Sequence, residues 1–95
     1  MIKVIAKNYI KKDKIEEVLQ ATKELIEATV KEEGCIKYEM YQDIKDESIL
    51  TMMEEWESMD ALKNHSNSEH YRRIVPIIGE YSEKAAETNL YKKVI

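Results

Sequence analysis

Residues 13–33 carry the feature that most limits what this chain can become. Ile15, Val18, Leu19, Thr22, Leu25, Ile26, Thr29 and Val30 recur at spacings of three and four, while Glu16, Glu17, Lys23, Glu24, Glu27 and Lys31 face the other way. That pattern is one amphipathic helix, with Asp13 placed to cap its start and Gly34 to stop it. Such a helix has a single apolar stripe and must lay it on a partner layer. Its flanks have period two instead. Residues 2–10, IKVIAKNYI, put Ile2, Val4, Ala6, Asn8 and Ile10 on one face of a strand. Residues 35–43 and 48–57 form a hairpin of two further strands about the turn at 43–47.

Beyond the hairpin, Ser58 opens a short helix containing Met59, Ala61 and Leu62. Ser66-Asn67-Ser68 interrupts it, and Ser68 caps a second short helix through Tyr71, Ile74, Val75 and Ile78. Pro76 is expected to kink or end that helix, because its ring displaces a backbone hydrogen bond. Residues 86–95, with Leu90, Tyr91 and Val94, read as a closing strand.

The order strand, helix, strand, strand, helix, strand specifies an α+β domain: a ferredoxin-like split βαβ sheet with its helices on one face, filling residues 1–95 as one domain. The hairpin strands do not alternate cleanly. Leu50, Met52 and Trp56 oppose Ile49 and Met53, and Ile36, Tyr38 and Met40 oppose Cys35 and Tyr41. A sheet with one wet face should alternate. The second face therefore calls for a cover, and in so small a chain a second copy is the simplest one, so a homodimer is expected.

Composition excludes several function classes. With 19 acidic against 15 basic residues the net charge is −4, and the basic residues pair only at Lys11-Lys12, Arg72-Arg73 and Lys92-Lys93, so nucleic acid is not expected as a partner. No apolar run approaches the ~20 residues of a membrane span, and none resembles a signal peptide. The lone Cys35 fits a reducing cytoplasm. Gly34 and Gly79 are the only glycines, which rules out a phosphate-cradling loop.

Few residues remain to carry chemistry. His65 and His70 are the only imidazoles, and a helix break separates them, so neither an HExxH nor an i,i+4 metal pair exists. A site of both with Glu69 stays open, but no metal or coloured cofactor is expected. His65 follows Met59 and Leu62 on the inner face of its helix, where it serves either as a structural hydrogen-bonding group or as a general base. Asn8 is an amide on an apolar strand face and needs a neighbour or a ligand. Trp56 is a core or site aromatic whose N–H needs an acceptor, and Tyr38, Tyr71 and Tyr81 pack the core or line a pocket.

Three stretches carry a resemblance: Glu32-Glu33-Gly34-Cys35, Glu54-Glu55-Trp56-Glu57-Ser58, and the run of Leu62, His65, Ser68, His70 and Tyr71. With the element order they cover nearly the whole chain, which is similar to the antibiotic biosynthesis monooxygenase family of dimeric α/β barrels, and within it to the quinol monooxygenases. The resemblance implies a pocket between sheet and helices in each subunit and oxygenation of a small quinol-like aromatic by O₂ without metal or flavin. It implies His65 as base, Asn8 as donor to the phenolate, and Trp56, Tyr71 and His70 as pocket residues. The family also contains an isomerase of a small phosphorylated keto compound, which would need a cationic anchor such as Arg72 or Arg73, and a non-catalytic metabolite-binding dimer is a third reading. The haem-degrading branch fits poorly. Asn8 matches its strand asparagine, but His65 stands at its tryptophan position and Val75 at its axial histidine.

Overall fold

The computed structural model describes all residues from Met1 to Ile95. Strands β1 (Ile2–Ile10), β2 (Cys35–Gln42), β3 (Ile49–Trp56) and β4 (Ser82–Lys92) form one antiparallel sheet in the order β2-β3-β1-β4. Helix α1 (Ile15–Thr29) joins β1 to β2, and α2 (Met59–Ser66) and α3 (Glu69–Glu80) join β3 to β4. The fold is α+β and ferredoxin-like, with β3 inserted between β1 and β2. One face of the sheet carries Val4, Leu50, Met52, Trp56 and Tyr38, and these meet Val18 and Leu25 of α1, Ala61 of α2, and Ile74 and Ile78 of α3 in a single core. No helix is long and apolar enough to cross a membrane.

Several expectations need correcting. Asp13 does not cap α1: the helix starts later, its N-cap position is Lys14, and no side chain caps it. A turn closed by the Lys14 N–H on the Lys11 carbonyl takes up residues 11–14, and Glu16 and Glu17 complement the helix start instead. The helix also stops at Thr29, before the turn that ends at Gly34 with φ +86°. Pro76 does not end α3, which runs on to Glu80. Buried Ile74 and Ile78 hold the helix on both sides of the proline, and exposed Arg72 leaves its carbonyl, the one deprived of a partner, to water. Ser58 and Ser68 cap α2 and α3 as expected, accepting from the Ala61 and Tyr71 N–H groups.

The closing strand begins four residues early, at Ser82, because the chain turns straight from α3 onto the edge of β1. Cys35 lies on the core face, not opposite it. The β2–β3 register shifts between Cys35 and Lys37, so Ile36 is an extra residue that bulges out half-exposed while Cys35 pairs with Trp56.

Candidate active site

A cavity of about 640 Å³ lies between the core face of the sheet and the α2–α3 pair, within the range of small-ligand sites. Val4, Ala6 and Asn8 of β1, Tyr38 of β2, Met52 and Glu54 of β3 and Thr88 and Leu90 of β4 form its floor, and His65, Tyr71, Val75 and Ile78 form its roof.

His65 is among the most buried polar residues of the chain. It sits in the last turn of α2, is 1% exposed, and lies tilted by 34° against Trp56 with ring centroids 4.7 Å apart. Tyr38 and Tyr71 each meet it edge-on at 5.0 Å. Its Nδ1 lies 2.7 Å from Oε2 of Glu32, and Nε2 of His70 lies 2.6 Å from the same oxygen. One carboxylate oxygen between two ring nitrogens accepts an N–H from each. For neutral His65 that fixes the proton on Nδ1 and leaves the lone pair on Nε2. Nε2 is buried and has no partner. Burial lowers the His65 pKa below its ordinary value and outweighs the opposing pull of Glu32, which favours the neutral ring. The elbow behind it is set by Ser68, whose hydroxyl donates to the His65 carbonyl at 2.6 Å and accepts from the Tyr71 N–H.

The two histidines therefore do come together, through Glu32 rather than Glu69, which pairs with Arg73 on the surface. Glu32, His65 and His70 offer three ligand atoms within 4.8 Å of one another, a set not visible in the sequence. Their spacings of 2.6 and 2.7 Å are those of charge-assisted hydrogen bonds, and a cation there would have to replace both bridging protons.

Asn8 and Tyr71 line the cavity, whereas Trp56 and His70 do not. Trp56 is fully buried behind His65, and His70 lies on the Glu32 side of it. Nδ2 of Asn8 donates to the carbonyls of Leu50, at 3.1 Å, and Ala6, at 3.3 Å, so its free atom is the acceptor Oδ1 rather than a donor. Arg72 and Arg73 do not line the cavity and are bound to Asn67, and to Glu24 and Glu69; its cations are Lys63 and Lys84.

Two site residues escaped sequence reasoning. Glu32 lies in a turn, where no periodicity marks it. Glu54 did leave a signal, since it shares its parity on β3 with Leu50, Met52 and Trp56. It is only 7% exposed, and it accepts the Trp56 Nε1–H at 2.9 Å. Burial pushes its pKa up to about 7; the Trp56 bond opposes the rise and the negative charge of Glu32 adds to it.

The raised pKa has a consequence for stability. Between the ordinary value of 4.5 and about 7 the folded protein keeps a proton that the unfolded chain has lost. Stability should fall as pH rises through that window and level off above it, by at most about 3–4 kcal/mol at ~1.4 kcal/mol per unit. Glu54→Gln should accordingly stabilise the protein at pH 8 and change little at pH 4. Denaturant titrations at the two pH values check this.

The family described as antibiotic biosynthesis monooxygenase matches residues 1–76 of the chain. A conserved protein of solved structure from Methanosarcina mazei Go1 is 44% identical with a TM-score of 0.96, over 98% of this chain and 92% of that one. A crystal structure of an antibiotic biosynthesis monooxygenase is 36% identical with a TM-score of 0.96 over 100% of both chains. An uncharacterized protein of Synechocystis is 31% identical over 94% of this chain, which spans only 61% of that relative's length.

Proposed function

The chain belongs to the antibiotic biosynthesis monooxygenase family, and from that membership we propose that it oxygenates a small quinol-like aromatic with O₂, using its own side chains and no metal or organic cofactor. The observation that carries the reading is His65: a buried neutral base on the cavity wall, tautomer fixed by Glu32, with Nε2 unpartnered.

The chemistry asks little more of the protein. A dihydroxy aromatic gives a phenolic proton to Nε2 of His65. The electron-rich phenolate passes one electron to O₂, and the resulting phenoxyl radical, delocalised over the ring, joins superoxide at a ring carbon that bears hydrogen. Loss of water from this peroxide leaves a carbonyl, so dihydroxybenzene and O₂ become hydroxyquinone and water. Tyr38 lines the cavity and is kept protonated by burial, with the Glu54 charge adding to the effect; this suits it to donate to the phenolate in place of Asn8. Oδ1 of Asn8 then accepts from the second hydroxyl. Tyr71 supplies wall. Glu32 and His70 are positioning residues, acting through the His65 ring.

The test is oxygen consumption with a panel of hydroquinones and naphthohydroquinones, with anaerobic controls. An isomerase of a phosphorylated keto compound is the second reading, favoured by Lys63 and Lys84 on the wall; it would turn over without O₂.

On this reading the working unit is a homodimer, in a reducing cytoplasm that suits the free thiol of Cys35. The helix-free face of the sheet leaves Met53, Tyr41 and Tyr91 between a third and a half exposed. Two copies packed there should bury well over ~1,000 Å². Sedimentation at micromolar concentration should give a dimer, and Met53→Lys should give a monomer or an unfolded chain. A monomeric unaltered protein would contradict the assembly.

A further inference from the structure

Two carboxylates line the cavity, and only one is buried. Asp60 is exposed, whereas Glu54 is 7% exposed on the central strand pair. Its Oε1 accepts from Trp56, and Oε2 accepts no hydrogen bond from the protein. The ring of Trp56 in turn lies against His65. One indole thus touches two proton acceptors of the cavity, Glu54 on its floor and His65 on its roof. The groups around Glu54 are Tyr38 and Cys35 of β2, Trp56 of β3 and Glu32 of the α1–β2 turn, while its β1 neighbour Val4 is apolar; His65 of α2 lines the same cavity. No Lys or Arg pairs with it.

The oxygenase chemistry needs a second acceptor. Once His65 has taken the phenolic proton and returned it to the peroxide oxygen, the intermediate is a neutral hydroperoxide on a carbon that still bears hydrogen. A carbonyl forms there only when a base removes that C–H proton. We propose that Glu54 is a second catalytic residue of this site, the base that takes the ring C–H proton as the O–O bond breaks. The proposal rests on the oxygenase reading. The C–H electron pair becomes the new C=O bond, the O–O pair leaves with hydroxide, and hydroxide takes the proton from Glu54 to become water. Glu54 ends as a carboxylate and His65 neutral, so both are ready for another turnover. A carboxyl that titrates near neutrality can both take and release that proton at working pH. The substrate class narrows as well: a hydroxylated ring with a hydrogen-bearing carbon conjugated to the phenolate.

The experiment compares the unaltered protein, Glu54→Gln and Glu54→Asp on 1,4-dihydroxynaphthalene with hydrogen or deuterium at ring carbons 2 and 3. It follows enzyme-dependent O₂ uptake and hydroxyquinone formation against pH, with folding checked by circular dichroism. Glu54→Gln should lower kcat on the order of 10²–10⁴-fold, enlarge the deuterium isotope effect and abolish the acidic limb near pH 7. Glu54→Asp should recover part of the rate and the limb. A folded Glu54→Gln protein at the unaltered rate, or one slowed with isotope effect and limb unchanged, overturns the role. Should the glutamine variant not fold, Glu54→Asp decides by the same isotope effect: enlarged supports the role, unchanged overturns it. Absence of enzyme-dependent O₂ uptake by the unaltered protein across the quinol panel overturns the oxygenase reading itself.

Discussion

His65→Gln should cut quinol-dependent oxygen uptake on the order of 10²–10⁴-fold, the span expected when a positioned base is lost from a rate-limiting proton transfer. Glutamine preserves most of the packing against Trp56 and can still meet Glu32, so the variant should fold; what disappears is the basic lone pair. Burial lowers the His65 pKa, so the neutral, active ring persists below its ordinary value of 6.5. Its own acidic limb should lie under that pH, separate from the Glu54 limb near 7. The groups that could disturb it are Glu32 and His70 on one side, and Tyr38, Tyr71 and Glu54 on the other. His70→Ala frees Glu32 from one of its two donors without touching the cavity, so it should cost less activity than His65→Gln. Steady-state kinetics and melting curves on both variants check the order. A folded His65→Gln protein with unchanged turnover would remove the base assignment.

The largest stability effect should come from Gly34→Ala. Gly34 has φ +86°, which side-chain-bearing residues rarely adopt, and a Cβ there would stand 2.5 Å from the Cβ of Ala61. Strain and overpacking together should cost about 2–5 kcal/mol, or roughly 10–30 °C in Tm for a domain of this size. The location gives this contact its meaning. Gly34 follows Glu32 by two residues, and Ala61 precedes His65 by one helical turn, so the close approach of turn to helix brings Glu32 to His65. Gly79→Ala is the contrast, in α3 with nothing within 4 Å of its new Cβ and no positive φ, and should stabilise by about 0.4–1 kcal/mol. Equal melting temperatures for the two alanine variants would contradict this account of the Gly34–Ala61 contact.

What could be read in the sequence was whatever repeats with a period. The α1 stripe, the alternation of β1 and the serine caps of α2 and α3 follow from local chemistry, and they fix the element order and hence the fold. What could not be read depends on register or on distant chain. The bulge at Ile36 moves Cys35 to the other face, and no local signal announces an inserted residue. Residues 82–85 lie in a strand because β1 offers an edge, while their own sequence, Ser-Glu-Lys-Ala, has no apolar alternation. At the site, His65 was legible from its helical face. Its partner Glu32, 33 residues away in a turn, was not. Glu54 was legible in principle, as a charge at an apolar parity, yet Glu54-Glu55 reads as an ordinary acidic pair until burial separates them.

The central claim is that this cavity joins O₂ to an aromatic ring with protein groups alone. Turnover of 1,4-dihydroxynaphthalene by chelator-treated protein under ¹⁸O₂, with mass spectrometry of the product, tests it directly. The account predicts a hydroxyquinone carrying one ¹⁸O atom, undiminished by the chelator and absent without O₂. Enzyme-dependent product without the label, turnover in the absence of O₂, or activity that returns only on adding a metal ion would contradict it.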